Sequence, residues 1–415
     1  MSHRGTQSRL TSLPMLTTRQ QCLFLCDIFF RRKCMRIFMC TFVANQHHSC
    51  RTIQVFLNYY ISGKLNWSFY VGICMDGAAA MTGRLSGFTT RVKDVASECE
   101  SMHCVIHREM LASWKMSPEL TAFCRIWWKL STTLKYMPLT HVCSRSSEEM
   151  HAEHTRLLLY TEVRWLSKGR SLARVSELRE PLQRFLLEKQ SPLAAHFSDT
   201  EWVTKLAYLC DIFNLLNELN LSLQGRMSTV FKSADKLAAF KAKLELWGRR
   251  VNIGIFDMFQ TLAEILKETE PGPSLSQLVH DHLSQLSKEF EHYFPATKGP
   301  WTGKEWICDP FVNKPGELIL SLLEEDQLLE IANDGGLKSM FDITSNLHTF
   351  WIKVKAEYPE IVTKALKSLL PFPASCLCEA GCSAVTATKT RLQSILDKSN
   401  TLRCHCLLSP TDGTI

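Results

Sequence analysis

A short apolar stretch that ends abruptly at an Asp-Gly pair places the strongest constraint on the fold of this chain. Residues Phe69–Met75 are apolar and of strand length, Asp76 and Gly77 follow at once, and an alanine run begins at Ala78. This succession predicts a β-strand, a turn and a helix. Ligands and catalytic side chains collect at the carboxyl ends of strands in open α/β sheets, so Asp76 stands where a metal-binding carboxylate would stand. Asp76 also suits the N-cap of the following helix, and the local sequence alone favours that interpretation.

The rest of the chain is predicted to be largely helical. A second short strand is expected within residues 99–107, feeding a helix over 108–114, and helical periodicity dominates from Pro118 onward. The predicted helices cover residues 162–187, 202–223, 231–247, 274–290, 317–332, 347–357, 361–370 and 376–398. This order describes a small α/β piece, a long helical block and a late helix that can return to the sheet.

Composition and charge narrow the class of protein. The 415 residues are 45% hydrophobic and 21% charged, which is typical of a globular protein. No apolar run reaches the roughly 18 residues that a membrane span needs, so none is predicted. Residues 1–75 carry nine Lys and Arg residues against one acid, Asp27, whereas the rest of the chain is close to neutral. Attraction to nucleic acid is therefore expected of the N-terminal part, or of local patches elsewhere. The arginine-rich N-terminus also fits a mitochondrial transit peptide.

The 17 cysteines predict reduced thiols in an intracellular protein, because their number is odd and they are scattered through apolar segments. Two groups suggest zinc. The Cys and His residues of residues 22–50 lack the paired spacing of a structural finger, and Cys104-x2-His107 supplies only half a site. Packing in the core is the favoured interpretation of both, and no metal ligand is predicted.

Three segments of the chain share their order with a known family. The first joins residues 71–88 to 102–109, the second joins 161–169 to 219–225, and the third is 377–384. They include Met75-Asp76-Gly77, His107-Arg108-Glu109, Arg164-Trp165-Leu166, Leu219-Asn220-Leu221-Ser222-Leu223-Gln224-Gly225 and Cys378-Glu379-Ala380. Together they resemble the hAT transposase superfamily, specifically its domesticated, BED-finger-associated vertebrate branch, over roughly residues 52–400.

The resemblance implies an α/β plus α architecture, in which a long all-helical insertion interrupts an RNase H-like core and a late helix returns to that core. Carboxylates of such a core hold two divalent metals, for which Mg²⁺ is well suited, and these promote attack on phosphodiesters. Asp76 matches the second acid of the family and Glu379 the last. Arg164-Trp165 matches a segment in which the Trp stacks on an extruded base. A core role for Trp165 is the favoured interpretation, because a core without catalysis no longer needs the contact with the base.

The chain departs from the family at the first acid. Residues 1–75 contain no Glu, and their single Asp, Asp27, lacks the Ser/Thr context of the family motif. Loss of one ligand removes charge that must offset two divalent ions, so Asp76 and Glu379 are predicted to be vestigial and no cofactor to be retained. An active two-metal transposase or nuclease that uses Asp27, Asp76 and Glu379 is the alternative. The BED-type zinc finger also has no counterpart here.

The predicted organisation has five parts. They are a basic segment 1–51, the first core part 52–117, a helical insertion 118–345, a second core and dimerisation part 346–400, and a tail 401–415. The predicted function is that of a decayed or domesticated transposase, catalytically inactive and nuclear, that acts as a DNA-associated or protein-interaction module. The expected partners are DNA and, through 346–400, a second copy, with no membrane and no small-molecule substrate. A protein-interaction scaffold without nucleic-acid binding, and a cytoplasmic location, are the alternatives.

Overall fold

The computed structural model describes most of the chain between residues 70 and 374. The described ranges are 25–30, 33–37, 70–75, 77, 79–83, 87–135, 166–224, 228–268, 272–296, 301–312, 320–344 and 346–374. Within them the chain is mostly helical, as the periodicity predicts. The chain divides into two compact units, a sheet unit that runs up to His103 and resumes at Leu370, and a helical unit that spans Cys104–Leu369.

Four strands form the sheet in the order β2-β1-β3-β4. They are β1 Leu25–Phe30, β2 Lys33–Ile37, β3 Tyr70–Met75 and β4 Glu100–His103. β1 is antiparallel to β2 and to β3, whereas β3 and β4 are parallel. The sequence indicated the apolar run of β1 but not its pairing with β2, in which Phe30 lies opposite Lys33.

The predicted strand–turn–helix holds where it can be seen. β3 ends at Met75, and a short helix α1, Ala79–Thr82, follows before α2, Phe88–Val95. The second predicted strand is shorter than expected, because residues 105–107 belong to helix α3, Val105–Trp114. Val105 and Ala112 are buried on one face of that helix, so packing overrides the strand preference of the Val-Ile pair.

Eleven more helices of the described ranges make up the rest of the helical unit. They are α4 Pro118–Lys135, α5 Leu166–Glu177, α6 Arg179–Glu188, α7 Thr200–Leu223, α8 Val230–Asn252, α9 Gln260–Leu266, α10 Pro273–Tyr293, α11 Leu322–Asn333, α12 Gly335–Ile343, α13 Leu347–Lys353 and α14 Pro359–Leu369. Short 3₁₀ turns occupy Pro192–Ser198, Glu305–Ile307 and Val354–Ala356.

Helix α7 is the centre of the helical unit. It carries buried side chains all round its surface, and α4, α5, α8, α9 and α10 all contact it. Asp211 on α7 also caps a neighbouring helix, since its carboxylate oxygens accept hydrogen bonds from the backbone N–H groups of Thr261 (3.2 Å) and Leu262 (3.0 Å) in the first turn of α9. Burial raises the pKa of Asp211, and these hydrogen bonds oppose the shift.

The predicted apolar stripes are the buried faces of these helices. The stripe predicted for 162–187 spans α5 and α6, which meet at buried Leu178. None of the helices in the described ranges is long and apolar enough to cross a membrane.

Candidate functional site

Most of the residues that the resemblance singles out lie outside the described ranges. Asp76, Glu379, Arg164 and Trp165 are all among them. Their predicted roles therefore stay predictions. The surroundings of these residues are described in part, and they include the end of β3, the return of the chain after α14, and the beginning of α5.

The carboxyl ends of β3 and β4 lie side by side, as expected for parallel neighbours. Met75 pairs with His103, so the last residues of the two strands are in register. The imidazole of His103 packs against Gly77, where an added Cβ would lie 2.5 Å from its Cε1 atom. The turn after β3 is thus held close to the end of β4, and only a glycine fits at position 77 without displacing the ring.

The chain returns to the sheet after α14. Pro371 packs on Gly72 in the middle of β3, where an added Cβ would lie 2.9 Å from the proline Cγ. Leu370, Phe372 and Ala374 are buried in the same unit. The segment that leads toward Glu379 therefore begins on β3, although the predicted late helix itself lies outside the described ranges.

Asp27 is the one proposed acid whose backbone is described. It pairs with Gly72 across the antiparallel β1–β3 ladder. Gly72 precedes the end of β3 by three residues, or about 10 Å. The structure describes the backbone of Asp27 and not its side chain, so its proposed role as the first acid stays a prediction.

The Cys104-x2-His107 pair lies at the start of the helical unit. Cys104 is buried and occupies the N-cap position of α3, and His107 is half-buried on the same helix. Within the described ranges, no three His, Cys, Asp or Glu side chains come together as a metal site would require.

Two of the resembling segments meet through a buried hydrogen bond. Asn220 on α7 donates its amide N–H to Glu109 Oε2 on α3 at 2.6 Å, and both side chains are fully buried. Gln224 in turn donates to Asn220 Oδ1 at 2.8 Å. These three side chains, which we name the polar core, come from the His107-Arg108-Glu109 and Leu219–Gln224 segments.

The carboxyl group of Glu109 is held in its neutral form. Burial raises its pKa from 4.5 to about 8, and the hydrogen bond from Asn220 opposes this only in part. Its second oxygen, Oε1, is buried with no hydrogen-bond partner. The sequence offered a signal for this burial, because Glu109 falls on the helical stripe of Val105 and Ala112, four residues before and three after it.

The other part of the second resembling segment contributes Gly169, which packs on the same helix one turn earlier. Gly169 on α5 lies against α7, where an added Cβ would lie 2.5 Å from Asn217 Nδ2 and 3.3 Å from the backbone oxygen of Phe213. The glycine allows α5 and α7 to approach closely. The segment that begins with Arg164-Trp165 thus ends on the helix that carries the polar core.

The clearest charged feature of the described surface is a row of cations on α8. Lys232, Lys236, Lys243 and Arg250 are exposed, and their spacing places them on one face of the helix. We name this row the basic stripe. It extends for about 27 Å along the helix axis. The two acids of α8, Asp235 and Glu245, fall outside it. The spacing could have been recognised from the sequence.

The apolar side chains of the predicted dimerisation region are buried in a single copy. Phe350, Trp351, Leu366, Leu369 and Phe372 are each at most 3% exposed. Trp351 also donates a hydrogen bond of 3.0 Å to the carbonyl of Ile307. A dimer interface in the described part of 346–400 would therefore have to consist of residues other than these five.

One known protein family matches part of this chain, in a region that covers much of the helical unit. Residues 103–252 match the family model of the FAM200/GTF2IRD2 helical domain. The match includes α3 to α8 entire, and therefore the polar core, Gly169 and the basic stripe. This is a family of transposase-derived, domesticated proteins.

Proposed function

We propose that this chain derives from a hAT transposase, retains the helical part of that ancestor as a folded scaffold, and associates with DNA in the nucleus without catalysing strand transfer. The convergence of Glu109, Gly169 and Asn220 on α7 carries the first part of the proposal. These residues belong to segments that were selected by resemblance alone, and they meet at close-packed positions. The match over residues 103–252 supports the same origin.

An RNase H-like core for the sheet unit is part of this proposal. The parallel β3–β4 pair, the position of Asp76 directly after β3 and the return of Pro371 to Gly72 support it. The sequence context of Asp27 argues against catalysis, because it lacks the Ser/Thr residues of the family's first acid, and loss of that acid removes charge that must offset two divalent ions.

A strand-transfer and nicking assay in Mn²⁺ tests the catalytic part. The unmutated chain is expected to give no product above that of its Glu379→Gln variant. Activity that Glu379→Gln abolishes would instead support the alternative of an active two-metal enzyme. The Asp27→Asn variant then shows whether such an enzyme uses Asp27 as its first acid. If it does, this variant loses the activity, and if it does not, the activity remains.

DNA association is assigned to the basic stripe. Four exposed cations on one rigid helix face can contact successive phosphates without a requirement for sequence. The stripe lies on the part of the chain that is close to neutral overall, so its contribution can be separated from that of the basic residues 1–75.

The salt dependence of binding to a duplex of random sequence tests this assignment. Each phosphate contact contributes about 0.9 to the slope of log K against log salt concentration. The double variant Lys232→Gln/Lys243→Gln is expected to lower that slope by about 1.8. Arg125→Gln/Lys288→Gln is the matched control, since it removes two exposed cations on α4 and α10 and should leave the slope unchanged. Equal effects of the two variants, or an unchanged slope in both, would refute a role for the stripe.

A further inference from the structure

Helix α11 presents an exposed face that combines leucines with carboxylates. Leu322, Leu323 and Leu329 are 78%, 56% and 55% exposed, respectively. Glu325, Asp326 and Glu330 are exposed beside them, and α11 contains no Lys or Arg. Scattered single leucines on a surface need no explanation, but three on a helix of 12 residues form a patch. We name this surface the acidic face.

The acidic face is held rigidly from behind. Leu328 and Ile331 are buried on the opposite side of α11. Gln327 Oε1 accepts hydrogen bonds from the backbone N–H groups of Glu360 (3.1 Å) and Ile361 (3.0 Å) at the beginning of α14. Lys364 forms an ion pair of 2.7 Å with Glu324. Because these contacts fix the rotation of α11, the leucines face outward without reorganisation.

The spacing of the acidic face is that of a helix-packing hole. Leu322, Glu325, Asp326 and Leu329 stand at positions i, i+3, i+4 and i+7, the four that surround an inserted side chain in knobs-into-holes packing. The hole has leucines at its two ends and carboxylates at its sides. Its expected occupant is an apolar side chain flanked by cations.

Helix α8 of the same chain has such a side chain. Leu246 is 40% exposed, and the residues around it on the helix surface are Ala242, Lys243, Arg249 and Arg250. Three of these four are cations, and all four are exposed. The α8 surface around Leu246 therefore complements the acidic face in charge and in length, since both patterns extend over about two helical turns.

We propose that α8 of one copy docks on α11 of a second copy, with Leu246 seated between Leu322 and Leu329. Lys243 and Arg250 then face Glu325, Asp326 and Glu330. The contact is heterologous, because different surfaces of the two copies meet, so self-association proceeds beyond the dimer unless the geometry closes a ring. The contact does not depend on DNA binding, but it covers half of the basic stripe and so competes with DNA for the stripe.

Charge reversal tests the contact, with protein first freed of nucleic acid and studied by sedimentation equilibrium. The wild-type mass is expected to rise with protein concentration and to fall as salt is added. Glu325→Lys/Asp326→Lys and Lys243→Glu/Arg250→Glu should each weaken self-association by about tenfold or more, because like charges then face one another. An equimolar mixture of the two variants should associate again, since each supplies the complement that the other has lost.

The control variant is Glu188→Lys/Glu218→Lys. It changes the net charge by the same amount as Glu325→Lys/Asp326→Lys, but at exposed positions of α6 and α7. It should associate like the wild type. Leu246→Asn should abolish association without a change of charge. A wild type that stays monomeric at all concentrations, equal weakening by the control, or a mixture that stays dissociated would each overturn the proposal.

The acid-reversed variant separates this proposal from that of DNA binding. Glu325→Lys/Asp326→Lys leaves all four cations of the basic stripe in place, so its DNA affinity should not fall. Loss of self-association with retained DNA binding supports the two proposals together. Loss of self-association on nuclease treatment of the wild type would show that DNA bridges the copies, which would overturn direct docking.

Discussion

Asn220 donates a hydrogen bond of 2.6 Å to Glu109, which joins two helices across 111 positions of the sequence. The acceptor is a carboxyl group whose folded-state pKa of about 8 lies well above its ordinary value of 4.5. A buried ionisable group of this kind makes folding depend on pH.

The stability of the helical unit is expected to fall as the pH rises from about 5 to about 8. Between the unfolded and folded pKa values of Glu109 the folded state binds the extra proton, so a higher pH favours unfolding. The slope from this group is at most about 1.4 kcal/mol per pH unit. Glu109→Gln, which is neutral at every pH, should remove that slope. Urea unfolding at several pH values measures it, and equal slopes in the two proteins would show that Glu109 does not carry the effect.

Gly169→Ala is expected to destabilise the helical unit by about 1–3 kcal/mol, because the added methyl group meets Asn217 and the α7 backbone. Gly248→Ala is the matched control. It places the same methyl group in the interior of α8, where the nearest atom would be 4.0 Å away. That change should stabilise the unit by about 0.5–1 kcal/mol through helix propensity. Thermal unfolding of the two variants should therefore shift in opposite directions.

Asp211→Ala is expected to weaken α9 by about 1–2 kcal/mol, because it removes the carboxylate that accepts the N–H groups of Thr261 and Leu262. Hydrogen exchange at these two amides should accelerate more than exchange along α7. Asp257→Ala, at an exposed position before α9, is the control and should leave both amides protected. Uniform acceleration across α7 and α9 would indicate a general loss of packing rather than loss of the cap.

Gly72→Ala is expected to displace the chain that returns after α14, since the new methyl group would lie 2.9 Å from a rigid proline ring at Pro371. A cost of about 1–3 kcal/mol follows from overpacking of this kind. Faster hydrogen exchange at Ile73 and Cys74 would report it. Gly335→Ala, which meets no atom within 4 Å, provides the comparison. Unchanged exchange at β3 would argue against the packing of Pro371 on the strand.

Strong periodicity made the helices of the described ranges predictable. The stripe of Leu275, Leu283 and Phe290 identified α10, and the apolar run before Asp76 identified β3, because burial on one face or on both leaves a regular pattern. Val105 and Ile106 were predicted to lie in a strand because both are β-branched, but they belong to helix α3, in which Val105 is buried. The hairpin of β1 and β2 was missed because its residues show no alternation that favours a pair.

The polar core could be predicted only in part. Resemblance selected Glu109 and Asn220 as members of separate segments, but nothing in a one-dimensional pattern pairs residues that lie 111 positions apart. The requirement for glycine at position 169 could not be predicted either, because the close approach to Asn217 depends on how α5 crosses α7. The residue spacings of the basic stripe and of the acidic face could be recognised from the sequence as helical. Which side of each helix faces outward became known only from the packing.

The polar core also means that α3 is synthesised well before the helix with which it pairs. Glu109 leaves the ribosome long before Asn220, and α3 therefore waits with an apolar stripe and a carboxyl group that have no partner until α7 is complete. At about 5–20 residues per second this interval lasts for several seconds to tens of seconds. During that time the apolar faces by which α3 and α5 later pack on α7 remain exposed to solvent.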